Sequence, residues 1–370
     1  MPVPLPRSRA VVFVLALAAA LLLASTLATS AMADHRGGGS LYTQTNDPNG
    51  NTVQRFDRGR DGSLTPAGTF ATGGVGLAGL GGRQGAVELS GDGRYLYAVN
   101  AGSDSVSVFR LGRRFELART APSGGVAPVS IAEDHGRVYV LNSGGTPNVT
   151  AFRRWHDGSL KPIGAQALAP GAAGAAQVSV TPDGRSLVVS ERLSNRLETL
   201  PLDRYGRPGA PVVTASSGTV PFGFGITRQG TIVVSEAGAS TVSSYRAGGD
   251  GSLRTVTGSL AVGPGAACWV AVSPSGRFAY TGNASGSISG FAIGRDGSLT
   301  ALDADGLTAP LLPSPRDLDF DASGRYLHAV SPGNATTGGQ VTTYRVGSDG
   351  SLTVVGTAPA AAGITGAAAS

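Results

Sequence analysis

Six segments of the chain repeat one pattern, a glycine turn followed by an apolar strand. They are SGDGRYLYAVN (90–100), EDHGRVYVLN (133–142), TPDGRSLVVSE (181–191), TRQGTIVVSE (227–236), SPSGRFAYTGN (273–283) and DASGRYLHAVS (321–331). The turn glycines are separated by 43, 48, 46, 46 and 48 residues; they are Gly93, Gly136, Gly184, Gly230, Gly276 and Gly324. A regular period of this length indicates an array of equal structural units.

A second turn alternates with the first and predicts two hairpins in each unit. Five copies of Asp-Gly-Ser-Leu begin at Asp61, Asp157, Asp250, Asp296 and Asp349, and degenerate copies lie near Gly112 and Gly206. Asp-Gly between apolar runs favours a tight hairpin, because glycine takes the positive φ that the turn needs. Four short strands per unit at this period predict the blades of a β-propeller. A parallel β-helix has shorter rungs, and a helical solenoid needs a 3.6-residue periodicity that this sequence lacks.

The number of turns predicts how the ring closes. Seven turns of the second kind and six of the first indicate that the fold begins at the second strand of blade 1, at residues 40–46. The missing inner strand is expected from residues 363–370, because closure removes exposed sheet edges. The prediction is an all-β fold, a seven-bladed β-propeller with four antiparallel strands per blade, whose first blade combines N-terminal strands with the C-terminal strand.

The composition excludes several classes of protein. Charged residues make up 14% of the 370 positions and hydrophobic ones 41%, with 57 glycines and 22 prolines, which argues against a coiled coil, a helical bundle or a charged disordered tail. The formal charge of +5 comes from 28 arginines and one lysine that are scattered along the chain, so we expect no nucleic-acid partner. The lone Cys268 cannot form an internal disulfide and is expected to be a buried apolar residue rather than a reactive thiol.

Residues 1–33 have the organisation of a secretory signal. Arg7 and Arg9 precede an apolar run at 10–24, and Ala31-Met-Ala33 supplies small residues before a cleavage point. The run is shorter than the roughly 20 residues that span a bilayer, and an uncleaved anchor is the alternative. We expect residues 34–370 to form a single propeller that is secreted, monomeric and free of the membrane after cleavage.

Strand alternation sorts the connections onto two faces of the ring. Both repeated turns lie on one face, here called the turn face, whereas the irregular connections lie on the other, here called the loop face. Irregular loops on a rigid scaffold carry function more often than repeated short turns. The residues expected on the loop face are Arg83, Asn100, Asn142, Glu191, Arg192, Phe222, Phe224, Glu236, Cys268, Trp269, Asn283, Arg316 and Asp317.

No histidine is expected on the loop face. His35 is near the N-terminus, His135 and His156 lie in repeated turns, and His328 lies within a strand. A Ser-His-Asp site and a His-ligated zinc site are therefore disfavoured, and a general base would be a carboxylate.

Glu191 and Glu236 are the candidate catalytic carboxylates. They end the second strand of two consecutive blades, where other blades mostly have asparagine. One of them could activate water; alternatively both are solvated loop acids or pair with Arg192 and Arg196. A ring of Glu and Asn oxygens could also hold Ca²⁺, but no dense acidic loop is present, so no metal or other cofactor is expected.

Apolar and basic residues complete the candidate site. Phe222, Phe224 and Trp269 could line an apolar mouth, or could pack between blades. Arg316 could clamp a carboxylate, a phosphate or a developing oxyanion, or could cap an adjacent acid. The residues expected to contact a ligand are Arg83, Asn142, Arg192, Phe222, Phe224, Trp269 and Asn283.

These motifs resemble the seven-bladed propeller lactonases, a family that includes propeller-type 6-phosphogluconolactonases and carboxymuconate cyclases. The resemblance covers about residues 40–370 and rests on Pro182-Asp-Gly-Arg185, the Asp-Gly-Ser-Leu hairpins, Val188-Val-Ser-Glu191 and Pro315-Arg316. It implies metal-free hydrolysis or formation of a sugar-acid lactone, with Glu191 as base or orienting group and Arg316 as clamp. Where the family tends to have a histidine entering blade 3, this chain has Ala127-Pro-Val-Ser130, and Ala284 follows Asn283 where an arginine is usual.

Two hypotheses about function remain open at this point. The first is a secreted lactonase-like hydrolase that uses Glu191 or Glu236 with Arg316. The second is a non-catalytic extracellular propeller that binds a carbohydrate or a protein on the loop face.

Overall fold

The structure is a computed structural model that describes Met1 and residues 38–77, 84–112, 114–263, 265–309 and 314–370. Apart from Met1, the predicted secretory signal lies outside the described residues. The described residues form strands and no helix, so they contain no helix that could cross a membrane.

The strands form seven antiparallel sheets of four strands, which confirms the predicted seven-bladed propeller. Blade 1 is β28 (Thr365–Ala369), β1 (Ser40–Gln44), β2 (Thr52–Arg58) and β3 (Leu64–Ala71). Blade 2 is β4 (Val87–Leu89), β5 (Tyr95–Asn100), β6 (Ser105–Arg110) and β7 (Glu116–Pro122). Blade 3 is β8 (Val126–Asp134), β9 (Arg137–Gly144), β10 (Asn148–Arg154) and β11 (Leu160–Ala167). Blade 4 is β12 (Ala175–Val180), β13 (Ser186–Glu191), β14 (Arg196–Pro201) and β15 (Val212–Ala215).

The last three blades have the same order of strands. Blade 5 is β16 (Pro221–Ile226), β17 (Thr231–Glu236), β18 (Thr241–Ala247) and β19 (Leu253–Ala261). Blade 6 is β20 (Ala267–Val272), β21 (Phe278–Asn283), β22 (Ser287–Ile293) and β23 (Leu299–Ala301). Blade 7 is β24 (Asp317–Phe320), β25 (Tyr326–Asn334), β26 (Gly338–Val346) and β27 (Leu352–Ala360).

The repeated turns are stabilised locally by their own side chains. In the first Asp-Gly-Ser-Leu copy, the Asp61 carboxylate accepts hydrogen bonds from the backbone N–H (3.0 Å) and the hydroxyl (2.7 Å) of Ser63. Gly62, between them, has a φ of 88°, which a residue with a side chain rarely adopts. The other four copies make the same two bonds, so the motif determines the turn independently of the rest of the fold.

The apolar core lies between neighbouring blades. Tyr139 and Leu141 of blade 3 pack in one cluster with Val178 and Leu187 of blade 4, and all four are buried. Complete burial of such a side chain contributes roughly 1.5–3 kcal/mol relative to exposure. Because the sheets bury both faces in this way, each blade depends on the blades beside it.

The C-terminal strand closes the ring as predicted. β28 pairs with β1, with Leu41 opposite Ala369 and Tyr42 opposite Ala368. Two carboxylates of the adjacent inner strand β24 hold β28 from its other side: Asp317 accepts the N–H of Ala367 (3.0 Å), and Asp319 accepts that of Ala369 (2.8 Å). The closure is therefore made by backbone pairing and by buried carboxylates together.

Deletion of residues 363–370 is expected to lower the Tm by roughly 10 °C or more, because β1 becomes an open edge and two buried carboxylates lose their donors. Differential scanning calorimetry measures the effect. The control is Ser370→Ala, which removes only a side-chain contact with Ser40 and is expected to melt like the wild type. An unchanged Tm in the deletion would contradict the closure.

Candidate functional site

The asparagines that end the second strands are bonded within their own blades. Nδ2 of Asn142 donates to the side-chain oxygen of Asn148 (2.8 Å), and Nδ2 of Asn283 donates to the hydroxyl of Ser289 (2.8 Å). Both asparagines are completely buried. Their donors thus connect the end of one strand to the beginning of the next strand of the same blade.

Glu191 occupies the corresponding position in blade 4. Its Oε2 accepts hydrogen bonds from the Ser194 hydroxyl (2.5 Å), from Nε of Arg196 (3.0 Å) and from the N–H of Ala173 (3.2 Å). The Arg196 guanidinium also pairs with Glu198 at 2.9 Å. These contacts match the alternative in which Glu191 pairs with Arg196, and they fix the loop that carries Arg192.

Glu191 and Glu198 are two completely buried carboxyls that share one guanidinium. Burial raises the pKa of Glu198 to about 8, and its hydrogen bond with Glu191 adds to the increase. At neutral pH Glu198 is therefore protonated and donates to Glu191. The three side chains then carry no net charge, which removes the cost of burying a second anion.

Glu236 is completely buried in blade 5 and bonds to neutral donors. Its two oxygens accept hydrogen bonds from the N–H of Gly218 (2.7 Å) and from the hydroxyls of Thr241 (2.5 Å), Ser243 (2.7 Å) and Ser216 (3.2 Å). No described arginine pairs with it. Its carboxylate is therefore held by donors from blade 5 and from the connection that precedes it.

Four other candidates meet at the opening of the central channel on the loop face. The guanidinium of Arg192 lies 5.4 Å from the ring centre of Phe222, and that of Arg316 lies 5.5 Å from the ring of Trp269. The two aromatic rings pack edge to face at 5.7 Å. We call these four residues, together with Cys268, the mouth cluster.

The cations of the mouth cluster have no anionic partner. Among the described residues, the guanidiniums of Arg192 and Arg316 make no hydrogen bond or ion pair, and the buried Nε of Arg192 and Nε1 of Trp269 have no acceptor. Desolvation lowers the pKa of Arg192. Two cations with free donors above an aromatic surface form a site for an anion.

Cys268 lies within the electrostatic range of both arginines. Burial raises the pKa of its thiol to about 11, although Arg316 and Arg192 act in the opposite direction. The thiol is therefore protonated at neutral pH, as expected for a buried apolar residue.

Phe224 packs between blades rather than at the opening. It is completely buried in a cluster with Val188 of blade 4 and Tyr245 of blade 5. Its backbone N–H donates to Oε1 of Gln177 (2.7 Å), and its carbonyl accepts from Nε2 of the same side chain (2.9 Å).

Below the opening, a short segment crosses the channel. Oε1 of Gln84 accepts the N–H of Val270 at 2.9 Å, and its Nε2 donates to the Val270 carbonyl in blade 6. The carbonyl of Gly85 accepts the N–H of Ile131 in blade 3 at 2.7 Å. Gly223 is needed beside Gln84, because a Cβ there would collide with the backbone carbonyl of Cys268 as well as with the Gln84 carboxamide. This segment forms the floor of the mouth cluster.

A polar chamber of about 110 Å³ adjoins this floor. Glu88, Asp317 and Asp319 line it, and burial raises the pKa of all three carboxyls, that of Asp319 to about 7. Asp317 and Asp319 also hold the closing strand. Within the described part of the chain, no three His, Cys, Asp or Glu side chains form a group that could hold a metal ion.

The structure thus separates the candidates of the sequence analysis into two groups. Arg192, Phe222, Trp269 and Arg316 converge, whereas the side chains with partners inside or between blades are those of Asn142, Glu191, Phe224, Glu236 and Asn283. Arg83 lies outside the described residues. Sequence reasoning missed Gln84, Glu88 and Glu198; the alternation in Asp317-Leu-Asp319-Phe was the available signal that an inner strand carries carboxylates.

Comparison with known proteins places this ring in a family. The model of the family described as "Lactonase, 7-bladed beta-propeller" matches residues 35–173 and 149–268. The chain belongs to the seven-bladed propeller lactonases. No curated protein matches this lactonase-family chain.

Solved structures similar to this lactonase-family protein share its fold at low identity. One is a protein from Bacteroides fragilis to which 6-phosphogluconolactonase activity is ascribed, with 16% identity, a TM-score of 0.73 and coverage of 90% of this chain and 97% of the other. Another is the periplasmic gluconolactonase of Pseudomonas aeruginosa, with 17% identity, a TM-score of 0.71 and coverage of 90% and 99%. At these identities the similarity concerns the fold.

The proton that Glu198 keeps at neutral pH predicts a lower stability of the folded protein at alkaline pH. Between an ordinary glutamate pKa of 4.5 and about 8, folded Glu198 keeps a proton that the unfolded chain has released, so the free energy of unfolding falls as pH rises through this window. Glu198→Gln supplies a permanent donor and is expected to remove this loss, which is on the order of a few kcal/mol.

Thermal melts of wild type and Glu198→Gln at pH 5 and pH 9 measure the effect. The Tm difference between the two pH values is expected to be smaller in the variant. The control, Glu116→Gln, changes an exposed glutamate and should leave the difference unchanged. Equal pH dependence in wild type and Glu198→Gln would contradict the shared proton.

The thiol of Cys268 is expected to resist alkylation in the folded protein. With a pKa of about 11, only about one thiol in a thousand is ionised at pH 8, and the thiolate is the reactive form. Labelling with iodoacetamide, followed by mass spectrometry, should be at least roughly a hundredfold slower than in the guanidinium-unfolded protein. Labelling at the unfolded rate would show that the thiol is accessible and ionised.

Proposed function

We propose that this protein is a lactonase-type hydrolase that opens a sugar-acid lactone at the mouth cluster. The observation that carries the proposal is the pair of unpaired guanidiniums, Arg192 and Arg316, held on aromatic rings at the channel opening. Membership in the lactonase family supports the reaction class. The sugar-acid substrate follows from the names of the similar proteins and from the anionic product that such a site would hold.

The chemistry assigned to these residues is electrostatic. Water attacks the lactone carbonyl carbon, negative charge develops on the carbonyl oxygen, and the bond to the ring oxygen breaks. One proton of the water passes to the ring oxygen to give a hydroxyl, and the other is released to solvent as the carboxylate forms. Arg192 and Arg316 donate hydrogen bonds to the developing oxyanion, and the guanidinium of Arg192 is partly desolvated before the substrate binds. The rings of Phe222 and Trp269 hold the guanidiniums in place and exclude water from one side.

Glu191 is proposed as a positioning residue in this reaction. Its carboxylate accepts from the Ser194 hydroxyl and Arg196 and so fixes the loop that begins with Arg192. A base role would require a carboxylate oxygen to reach the attacking water, but Glu191 is completely buried. Glu236 has the same kind of structural contacts in the next blade.

A panel of γ- and δ-lactones assayed with a pH indicator tests the proposal. Arg316→Ala and Arg192→Ala are each expected to lower kcat/KM by roughly 10²–10³-fold, the usual cost of removing an oxyanion donor. The matched control is Arg277→Ala, which removes a guanidinium stacked on Phe278 on the turn face and should leave kcat/KM unchanged. Activity that survives both mouth substitutions would overturn the site.

Glu191→Gln separates positioning from base catalysis. As a positioning residue, Glu191 should give a variant with a lower Tm, a loss of kcat/KM of less than roughly tenfold and an unchanged pH profile. A loss of more than about a hundredfold at unchanged Tm, together with loss of the acidic limb of the pH profile, would assign it the role of base.

One observation favours a second candidate, a non-catalytic propeller that binds a carbohydrate or a protein. No described residue of the mouth cluster is a carboxylate or an imidazole, so the cluster has anion-binding groups without a base. Calorimetry with gluconate distinguishes the two: binding without turnover of any lactone supports this second function. We further propose, from the N-terminal sequence, that the protein is secreted; sequencing of the exported chain should begin at Asp34.

A further inference from the structure

A groove of about 660 Å³ opens between blades 4 and 5 on the turn face. This is the face of short repeated turns, on the opposite side of the ring from the mouth cluster. Grooves of roughly 300–1,000 Å³ are the usual size of small-ligand sites. Another groove of about 550 Å³ lies on the same face beside blades 1 and 2, so the residues that line each groove distinguish the two.

Two other contacts between adjacent blades, here called seams, show how an aromatic ring and an arginine can fill this space. Tyr95, the first residue of β5, lies under the guanidinium of Arg154, the last residue of β10, at 4.2 Å. Arg154 also pairs with Asp92 in the turn before β5, at 2.8 Å. Tyr326 and Arg58 form the same kind of stack at the seam between blades 7 and 1.

Small residues leave the seam between blades 4 and 5 open. The first residue of β13 is Ser186 and the last residue of β18 is Ala247, which are the positions of Tyr95 and Arg154. Both line the groove. Asp183 remains in the turn before β13, as Asp92 does before β5, but no described arginine pairs with it.

The adjacent turn of blade 5 adds a cation at the same place. Arg228 stands where the other five turns have Gly91, Asp134, Pro182, Pro274 and Ala322. Arg228 and Arg185 are exposed in the groove, and neither guanidinium makes a hydrogen bond or an ion pair among the described residues. Three departures from the repeat therefore coincide at one seam.

The other groups of the groove define what it can bind. The guanidinium of Arg246 is already bonded within the protein, because it donates to the backbone carbonyls of Gln229, Arg295 and Asp296. Asp183 accepts from Thr181 with Oδ1 and keeps Oδ2 without a described partner. The remaining carboxylate, Asp250, is bonded to the backbone and the hydroxyl of its own turn.

We propose that this groove is a second binding site and that its ligand is an acidic saccharide. Two free guanidiniums suit a carboxylate or another anionic group, and the open oxygen of Asp183 can accept from sugar hydroxyls. Aliphatic side chains such as Pro182 and Val212 line the walls and suit the C–H face of a sugar ring. A neutral sugar would form no ion pair with either guanidinium, and inorganic phosphate would make no contact with the aliphatic walls.

Isothermal titration calorimetry with glucuronate, glucose and inorganic phosphate tests the proposal on the full chain. Glucuronate is expected to bind at least about tenfold more tightly than either comparator. Arg228→Gly, which restores the residue of blade 2, should weaken glucuronate binding at least about tenfold. The matched control Arg94→Ala removes the arginine of the corresponding blade 2 turn and should have no effect.

A second variant fills the groove with the pair that closes the seam between blades 2 and 3. Ser186→Tyr with Ala247→Arg should remove the Arg228-dependent glucuronate binding at an unchanged or higher Tm, whereas Arg316→Ala at the mouth should leave that binding intact. If the double variant does not fold, Arg228→Gly with Arg185→Ala replaces it. Absence of glucuronate binding, equal binding of glucose or phosphate, or loss of binding in Arg316→Ala would each overturn the site.

Discussion

Burial of both faces of every blade is the physical constraint on which this structure depends. A sheet that is apolar on both sides cannot face water, so each blade requires two neighbours and the row of blades must become a ring. The last five-residue strand completes blade 1 and so removes the two edges that an open row would have. Asp317 and Asp319 reinforce this closure, because their carboxylates accept N–H groups of the closing strand.

The seams between blades permit more variation than the strands themselves. A seam can be filled by an aromatic ring beneath an arginine, as with Tyr95 and Arg154, or by aliphatic residues. When both contributions are small, as with Ser186 and Ala247, the backbone ring persists and a groove remains. The repeat thus conserves the architecture while single positions at a seam change its surface chemistry.

Charge has two distinct uses in this propeller. Glu191, Glu198 and Arg196 form a closed set in which one proton and one guanidinium neutralise two buried carboxyls, so they stabilise blade 4. Arg192 and Arg316 have no such partner and are held by contact with aromatic rings. The presence of an uncompensated, partly desolvated cation is what distinguishes a site for an external anion from an internal ion pair.

The fold could be predicted from sequence because its determinants are local and repeated. Gly62 and Asp61 define a turn whatever lies around them, and the turn count determines the number of blades and the origin of the closing strand. The loop-face position of Arg192, Phe222, Trp269 and Arg316 followed from strand alternation alone. Departures from the repeat identified Glu191 and Glu236 as unusual but did not reveal their partners.

Only the tertiary structure decided which of these residues converge and which are bonded within the fold. Arg196 lies opposite Glu191 in the same hairpin and was one of the partners that the sequence offered. Glu198 shares the guanidinium of Arg196, and Gln84 reaches Val270 across the channel, and these two contacts have no signature in the spacing of residues. The open seam at Ser186 and Ala247 likewise joins positions 61 residues apart in two blades. A turn is determined by adjacent residues, whereas the partners of a buried charge depend on how separate strands and blades pack.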